Sequence, residues 1–228
     1  MNFPYALVDL THTLTASIPC WEGTCGFQHH NVHDYEAGLD ISFRVQRLDM
    51  DAGIGTHVDA PAHCIKGGKT IADLDLNKLL SPCIVIDVTG VANANYIVSP
   101  KDILAFEAAY SEITAGSFVI VRTGWDKYWG NPHKYRNNYN FPCIAAETAE
   151  LLLQRKITGL GIDTLSPDRP DTGYPVHRML LGAGKYIVEN IANAKSLPAI
   201  GSYILVLPIK IKGGTEAPVR LIALLKKK

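Results

Sequence analysis

Short runs of aliphatic and β-branched residues at Cys83–Val88, Ser117–Thr123, Ser202–Ile211 and Val219–Leu225 read as strands between polar and turn-forming segments. Two stretches carry helical patterns instead. One opens at Ser99-Pro100-Lys101-Asp102, with serine as N-cap, proline at the first helical position and an acid in the first turn. It should run to about Tyr110. The other spans roughly Ile144–Lys156, where Ala145, Ala149, Leu152 and Leu153 form a core-facing stripe. A shorter helix is expected around His177–Leu181, ended by Gly182. Helices and strands mixed without regular alternation predict an α+β or irregular α/β arrangement. No repeat, low-complexity stretch or long linker interrupts the pattern, so residues 1–228 read as a single domain.

Composition narrows the function more than the fold. The 228 residues are 47% hydrophobic and 19% charged, enough to bury a substantial core. Twenty-two basic and 22 acidic residues give a formal net charge of +0. No global field therefore favours nucleic acid or an anionic membrane. No run approaches the roughly 18 apolar residues of a membrane span. Met1–Tyr5 lacks the basic and apolar regions of a secretory signal. Five cysteines (Cys20, Cys25, Cys64, Cys83, Cys143) are an odd number without paired spacing and read as reduced thiols. A cytoplasmic protein is expected.

Chemistry concentrates in Gly55-Thr56-His57-Val58-Asp59-Ala60-Pro61-Ala62-His63. In an extended segment, His57 and Asp59 point to the same face. An imidazole nitrogen beside a carboxylate oxygen suits a divalent metal such as zinc or manganese. Gly53 and Gly55 allow close backbone approach or positive φ, and Pro61 fixes the direction in which His63 returns. An isolated H-x-D also reads as a polar turn whose histidine caps a strand; the full nine-residue string argues against that.

That string resembles the signature H-x-G-T-H-x-D-x-P-x-H of the cyclase-like metal hydrolases, a family that includes bacterial kynurenine formamidases and isatin hydrolases. Val8-Asp9-Leu10-Thr11-His12, Arg122-Thr123-Gly124-Trp125 and Gly161-Ile162-Asp163-Thr164-Leu165-Ser166-Pro167-Asp168 resemble further family segments, and His177 and Glu189 follow at the family's spacing. The resemblance implies an α/β fold with a β-rich, barrel-like core flanked by helices (the swivelling β/β/α type), assembled as a homodimer or tetramer. It implies His57, Asp59, His177 and Glu189 as metal ligands, Asp59 bridging two ions, and His63 as general base and acid. It further implies hydrolysis of a small amide, formamide or cyclic amide, arylformamidase-like, by metal-activated water. A cyclase or dehydratase using the same ion is the alternative, as is a metal-binding protein without catalysis. The motif's first histidine falls at position 53, which is glycine here. One metal subsite is then short of a ligand, and one tight ion per chain is expected, with Gly53→His expected to refill the other.

Other candidates have plainer readings. His29, His30 and His33 with Cys25 lack a partnering C-x-x-C pair and read as exposed loop histidines. Cys64 reads as a small packing residue. Trp21 reads as a wall of the substrate pocket or an ordinary core tryptophan. Gly182-Ala183-Gly184 reads as a helix C-cap. Asp163 and Asp168 read as carboxylates that orient histidines or shape the turn around Pro167.

Overall fold

The computed structural model describes residues 3–23, 26–35 and 41–227. Its strands are β1 (Tyr5–Asp9), β2 (Gln28–His33), β3 (Val45–Asp49), β4 (His57–Asp59), β5 (Leu80–Asp87), β6 (Ile97–Val98), β7 (Phe118–Arg122), β8 (Cys143–Ile144), β9 (Gly159–Ile162), β10 (Tyr186–Glu189), β11 (Ser202–Pro208) and β12 (Glu216–Lys226). Its helices are α1 (Leu76–Leu79), α2 (Pro100–Ala109), α3 (Pro132–Arg136), α4 (Ala146–Gln154) and α5 (Pro175–Gly182). Among the described residues, seven strands close into a barrel in the order β12-β11-β5-β7-β9-β10-β4, with β4 returning to β12 and β1 added outside. This is the α/β, helix-flanked barrel expected from the sequence. No helix of the described residues is long and apolar enough to cross a membrane.

The barrel has two unlike halves. β5, β7, β9 and β10 run parallel, and each is buried over most of its length. Parallel strands covered on both faces carry continuous apolar runs, which is why Ser117–Thr123 was legible. Phe118, Ile120, Tyr186 and Val188 fill the interior with Val58 and Ala217. Val119, Val121, Leu160, Ile162 and Ile187 face outward onto Ile103 and Phe106 of α2, Leu152 of α4 and Leu180 of α5. β11 instead alternates buried and exposed positions between antiparallel neighbours.

Element boundaries differ from expectation for identifiable reasons. The Ser99 helix forms with its capping box, the Asp102 carboxylate accepting the Ser99 backbone N–H at 2.7 Å. The Ile144 helix starts later, at Ala146, because Cys143–Ile144 pairs in parallel with Ile97–Val98. The last strand starts three residues before Val219, at Glu216, and those first residues lie against β4. β4 has only three residues, and β9 is broken up by Gly159 and Gly161, where a side chain would collide with the Phe118 ring. Neither is visible as an apolar run.

Candidate metal centre

Three neighbouring strands set the site by register alone. His57 of β4 lies opposite Glu189 of β10, and Asp59 opposite Glu216 of β12. Directly opposed residues share a face, and residues two apart on one strand do as well. His57, Asp59, Glu189 and Glu216 therefore share one face, while Val58, Val188 and Ala217 point into the barrel. The shared face looks outward, beneath α5, which supplies His177.

Each imidazole is held by a hydrogen bond through Nδ1. His57 Nδ1 lies 2.9 Å from the Gly55 carbonyl. Gly55 has φ +61, a conformation open to glycine at little cost. Its carbonyl also accepts from the Asn190 side chain at 2.9 Å, and Tyr135 Oη donates to Asn190 Oδ1 at 2.9 Å. His177 Nδ1 lies 2.8 Å from Asp168 Oδ2. Asp168 also accepts the backbone N–H groups of Val176 and His177 at 3.2 and 2.9 Å, satisfying two otherwise unpaired donors of the first turn of α5. With Nδ1 committed, both Nε2 atoms face the carboxylates. His57 Nε2 is 3.4 Å from Asp59 and 3.4 Å from Glu189; His177 Nε2 is 3.5 Å from Asp59 and 3.3 Å from Glu189.

This quartet is buried, and its charges are poorly satisfied by the protein alone. Among the described residues, Asp59 Oδ1 and Glu189 Oε1 find no hydrogen-bond partner. An unpaired buried acceptor costs about 1–3 kcal/mol, and a charged one more. Burial pulls the His57 pKa down, but the adjacent Asp59 carboxylate, then the charge of Glu189, outweigh it and raise it to about 10. His177 is raised in the same way, burial being overcome by Asp168, Asp59 and Glu189. Burial opposes ionisation of Asp59, yet both histidines hold it below the ordinary carboxylate range. Burial and the Asp59 charge push Glu189 up. In the metal-free protein, imidazole protons thus sit where the carboxylates call for a cation. Asp59, His177 and Glu189 each bring a ligand atom within 4.8 Å of one another, and so do His57, Asp59 and Glu216. The donor set, two imidazole nitrogens among carboxylate oxygens, fits a divalent zinc or manganese ion.

The centre forms the floor of a cavity of about 720 Å³. His63, on the short turn Pro61–His63, lies at its rim, with Nδ1 3.2 Å from Glu216 Oε2 and its ring 6.0 Å from that of His177. The Glu216 hydrogen bond raises its pKa against the opposing effect of burial. Trp21 lines the wall, its ring packed against Tyr139 at 4.7 Å and Tyr174 at 6.2 Å.

The structure thus brings together His57, Asp59, His63, His177, Glu189 and Trp21, and it adds Glu216. The sequence held two unconnected facts: the absent imidazole at position 53 and an acid three residues before the strand expected from Val219. Only the three-dimensional register connects them. Asp168 orients His177, whereas Asp163 holds the turn after β7, accepting from Thr123 and Gly124. His12 takes no part in the cavity; burial holds it near pKa 4, and it stacks on Trp129 at 3.8 Å. His29, His30 and His33 lie on exposed β2, away from the cavity; Cys25 lies outside the described residues. Cys64 lines the cavity, but burial raises its pKa, so it is not a ready thiolate. Gly182 ends α5, with Gly184 at φ +71 beyond it.

This barrel, with a buried carboxylate–imidazole centre outside its wall, is found by comparison with known proteins to have metal-hydrolase relatives. The Cyclase family model matches residues 8–169, and the chain belongs to that family. It is 34% identical to an isatin hydrolase of Roseibium aggregatum, over 97% of this chain and 92% of that protein. It is 28% identical to a kynurenine formamidase of Erythrobacter litoralis, over 94% and 91%. The structure of isatin hydrolase A from Ralstonia solanacearum superposes with a TM-score of 0.89 at 28% identity, covering 97% of this chain and 92% of that one. A potential metal-dependent hydrolase with cyclase activity superposes at 0.77, with 28% identity and coverage of 98% and 100%.

Proposed function

We propose that this chain is a metal-dependent amidohydrolase that cleaves the C–N bond of a small amide, formamide or cyclic amide, with arylformamidase-like specificity. The observation that carries the reading is the buried quartet of His57, Asp59, His177 and Glu189 with two unpartnered carboxylate oxygens, lying below a histidine outside the quartet. The relatives hydrolyse, by their names, a cyclic amide and a formamide, which supports the bond type. His57, Asp59, His177 and Glu189 hold zinc or manganese. When bound, the ion brings the acidity of a water toward about pH 7 and polarises the substrate carbonyl.

The residues of this chain handle protons and position. Glu216 accepts from His63 Nδ1–H, which leaves Nε2 of the neutral ring free as a base. The His63 ring takes a proton from the attacking water as its oxygen bonds to the carbonyl carbon. It then gives that proton to the departing nitrogen as the C–N bond breaks, leaving a carboxylic acid and an amine. A raised pKa favours uptake of that proton from water. Trp21 offers a flat apolar wall to an aryl group. The working protein is a single-domain, cytoplasmic homodimer or tetramer acting on a small molecule.

A panel of aryl formamides, lactams and lactones, assayed with the metal-loaded and the metal-stripped protein, tests this reading. Turnover of a formamide or cyclic amide that vanishes on stripping and returns with zinc or manganese is expected. Metal-independent turnover, or turnover of lactones alone, would contradict it.

A further inference from the structure

The missing imidazole at position 53 and the carboxylate of Glu216 occupy the same space. A Cβ built on Gly53 would run into Oε1 of Glu216, 3.1 Å from its Cδ and 3.5 Å from His57 Nε2. Gly53 has no positive φ, so its backbone accepts a side chain. Glu216 holds that space instead, and its carboxylate would have to turn aside for position 53 to carry a side chain.

We propose that Glu216 is a metal ligand standing in for the absent residue-53 imidazole, and that His57, Asp59 and Glu216 form a complete second metal subsite sharing Asp59 with the first. This rests on the metal-dependent reading above. Three observations carry it. The ligand atoms of His57, Asp59 and Glu216 lie within 4.8 Å of one another. Asp59 Oδ1, on a residue 1% exposed, has no hydrogen-bond partner among the described residues and lies 3.4 Å from His57 Nε2, on the side of this second group. Among the described residues Glu216 meets His63 through Oε2, and a carboxylate offers about four lone-pair sites, which leaves Oε1 to ligate.

The consequence reverses the expectation drawn from Gly53. Two tight ions per chain are expected, not one. The second subsite offers one nitrogen and two oxygens, a harder set than two imidazoles and a carboxylate, so it tolerates manganese better relative to zinc. Glu216 also ties this ion to His63 through its two oxygens.

The experiment counts tight ions in the parent, Glu216→Ala, His177→Ala and the double variant Gly53→His/Glu216→Ala, with circular dichroism to confirm folding. Zinc and manganese are titrated separately and in competition. Two ions in the parent, one in each single variant, two again in the double variant, and a shift toward zinc on restoring the imidazole are expected. Two ions in folded Glu216→Ala would overturn the assignment, as would one in the parent unchanged by that substitution; in both cases the first subsite and the metal-dependent reading stand. No tight ion in the parent would overturn the metal reading itself. Should Glu216→Ala misfold, Glu216→Gln keeps the shape without the charge, and undiminished two-ion binding by it overturns the assignment equally.

Discussion

The two halves of the centre are built to different standards of enclosure. Asp59, His177 and Glu189 are all buried, and Asp168 pins His177 while capping the helix that carries it. The His57 side has one carboxylate at the cavity wall, with its side chain 23% exposed and shared with His63. The first half rests on packed backbone and an outer carboxylate. The second depends on a flexible side chain that reaches in from a strand end. An ion in the first half would be held by a pre-organised cage, while the second half, on the proposed assignment, would trade ligand duty for contact with the base.

The largest effect should come from the residue common to both halves. Asp59→Asn removes the shared charge, and loss of metal and of activity with near-parental circular dichroism is expected; unchanged metal content by elemental analysis would take Asp59 out of both subsites. His63→Ala should keep its metal and lose about 10²–10⁴-fold in rate. Loss of metal instead would make His63 a ligand. Asp168→Asn should weaken the enclosed half alone, by the roughly 10–100-fold typical of a carboxylate behind a ligating histidine. Titration showing both ions equally affected would mean that the halves are not separable.

Protons sharpen the comparison further. His57 is held at about 10 against an ordinary 6.5 in the metal-free protein. A raised folded pKa stabilises the fold fully below pH 6.5, and that contribution is lost as pH rises through about 10. The metal-stripped protein should therefore lose thermal stability over that window. Metal uptake must displace the same proton, so apparent affinity should rise with pH. A stripped protein whose Tm is flat from pH 6.5 to 10 would show that His57 is not protonated there. The smallest effect is at the wall: Trp21→Ala should raise KM about tenfold or less, with kcat and metal count unchanged.

Much of this molecule was legible in its sequence, and the gaps have physical causes. Parallel strands buried on both faces announce themselves as apolar runs, and the Ser99 helix through its cap. β4 does not, because two of its three residues are a histidine and an aspartate. His57 and Asp59 were readable because two-residue spacing is local. His177 and Glu189 emerged through family spacing. Glu216 was not readable, since it depends on the register by which β12 lies against β4, far away in sequence. Position 53 looked like a loss for the same reason: the group that fills its space comes from the other end of the chain.

On the proposed reading, metal held at this centre drives addition of water to a C–N bond. Mass spectrometry of an aryl formamide or cyclic amide incubated with the metal-loaded, stripped and reloaded protein tests it most directly. Summed products that exceed the substrate by the mass of one water, only when zinc or manganese is present, are expected. A product lighter than the substrate by one water, or the same product from the stripped protein, would contradict it.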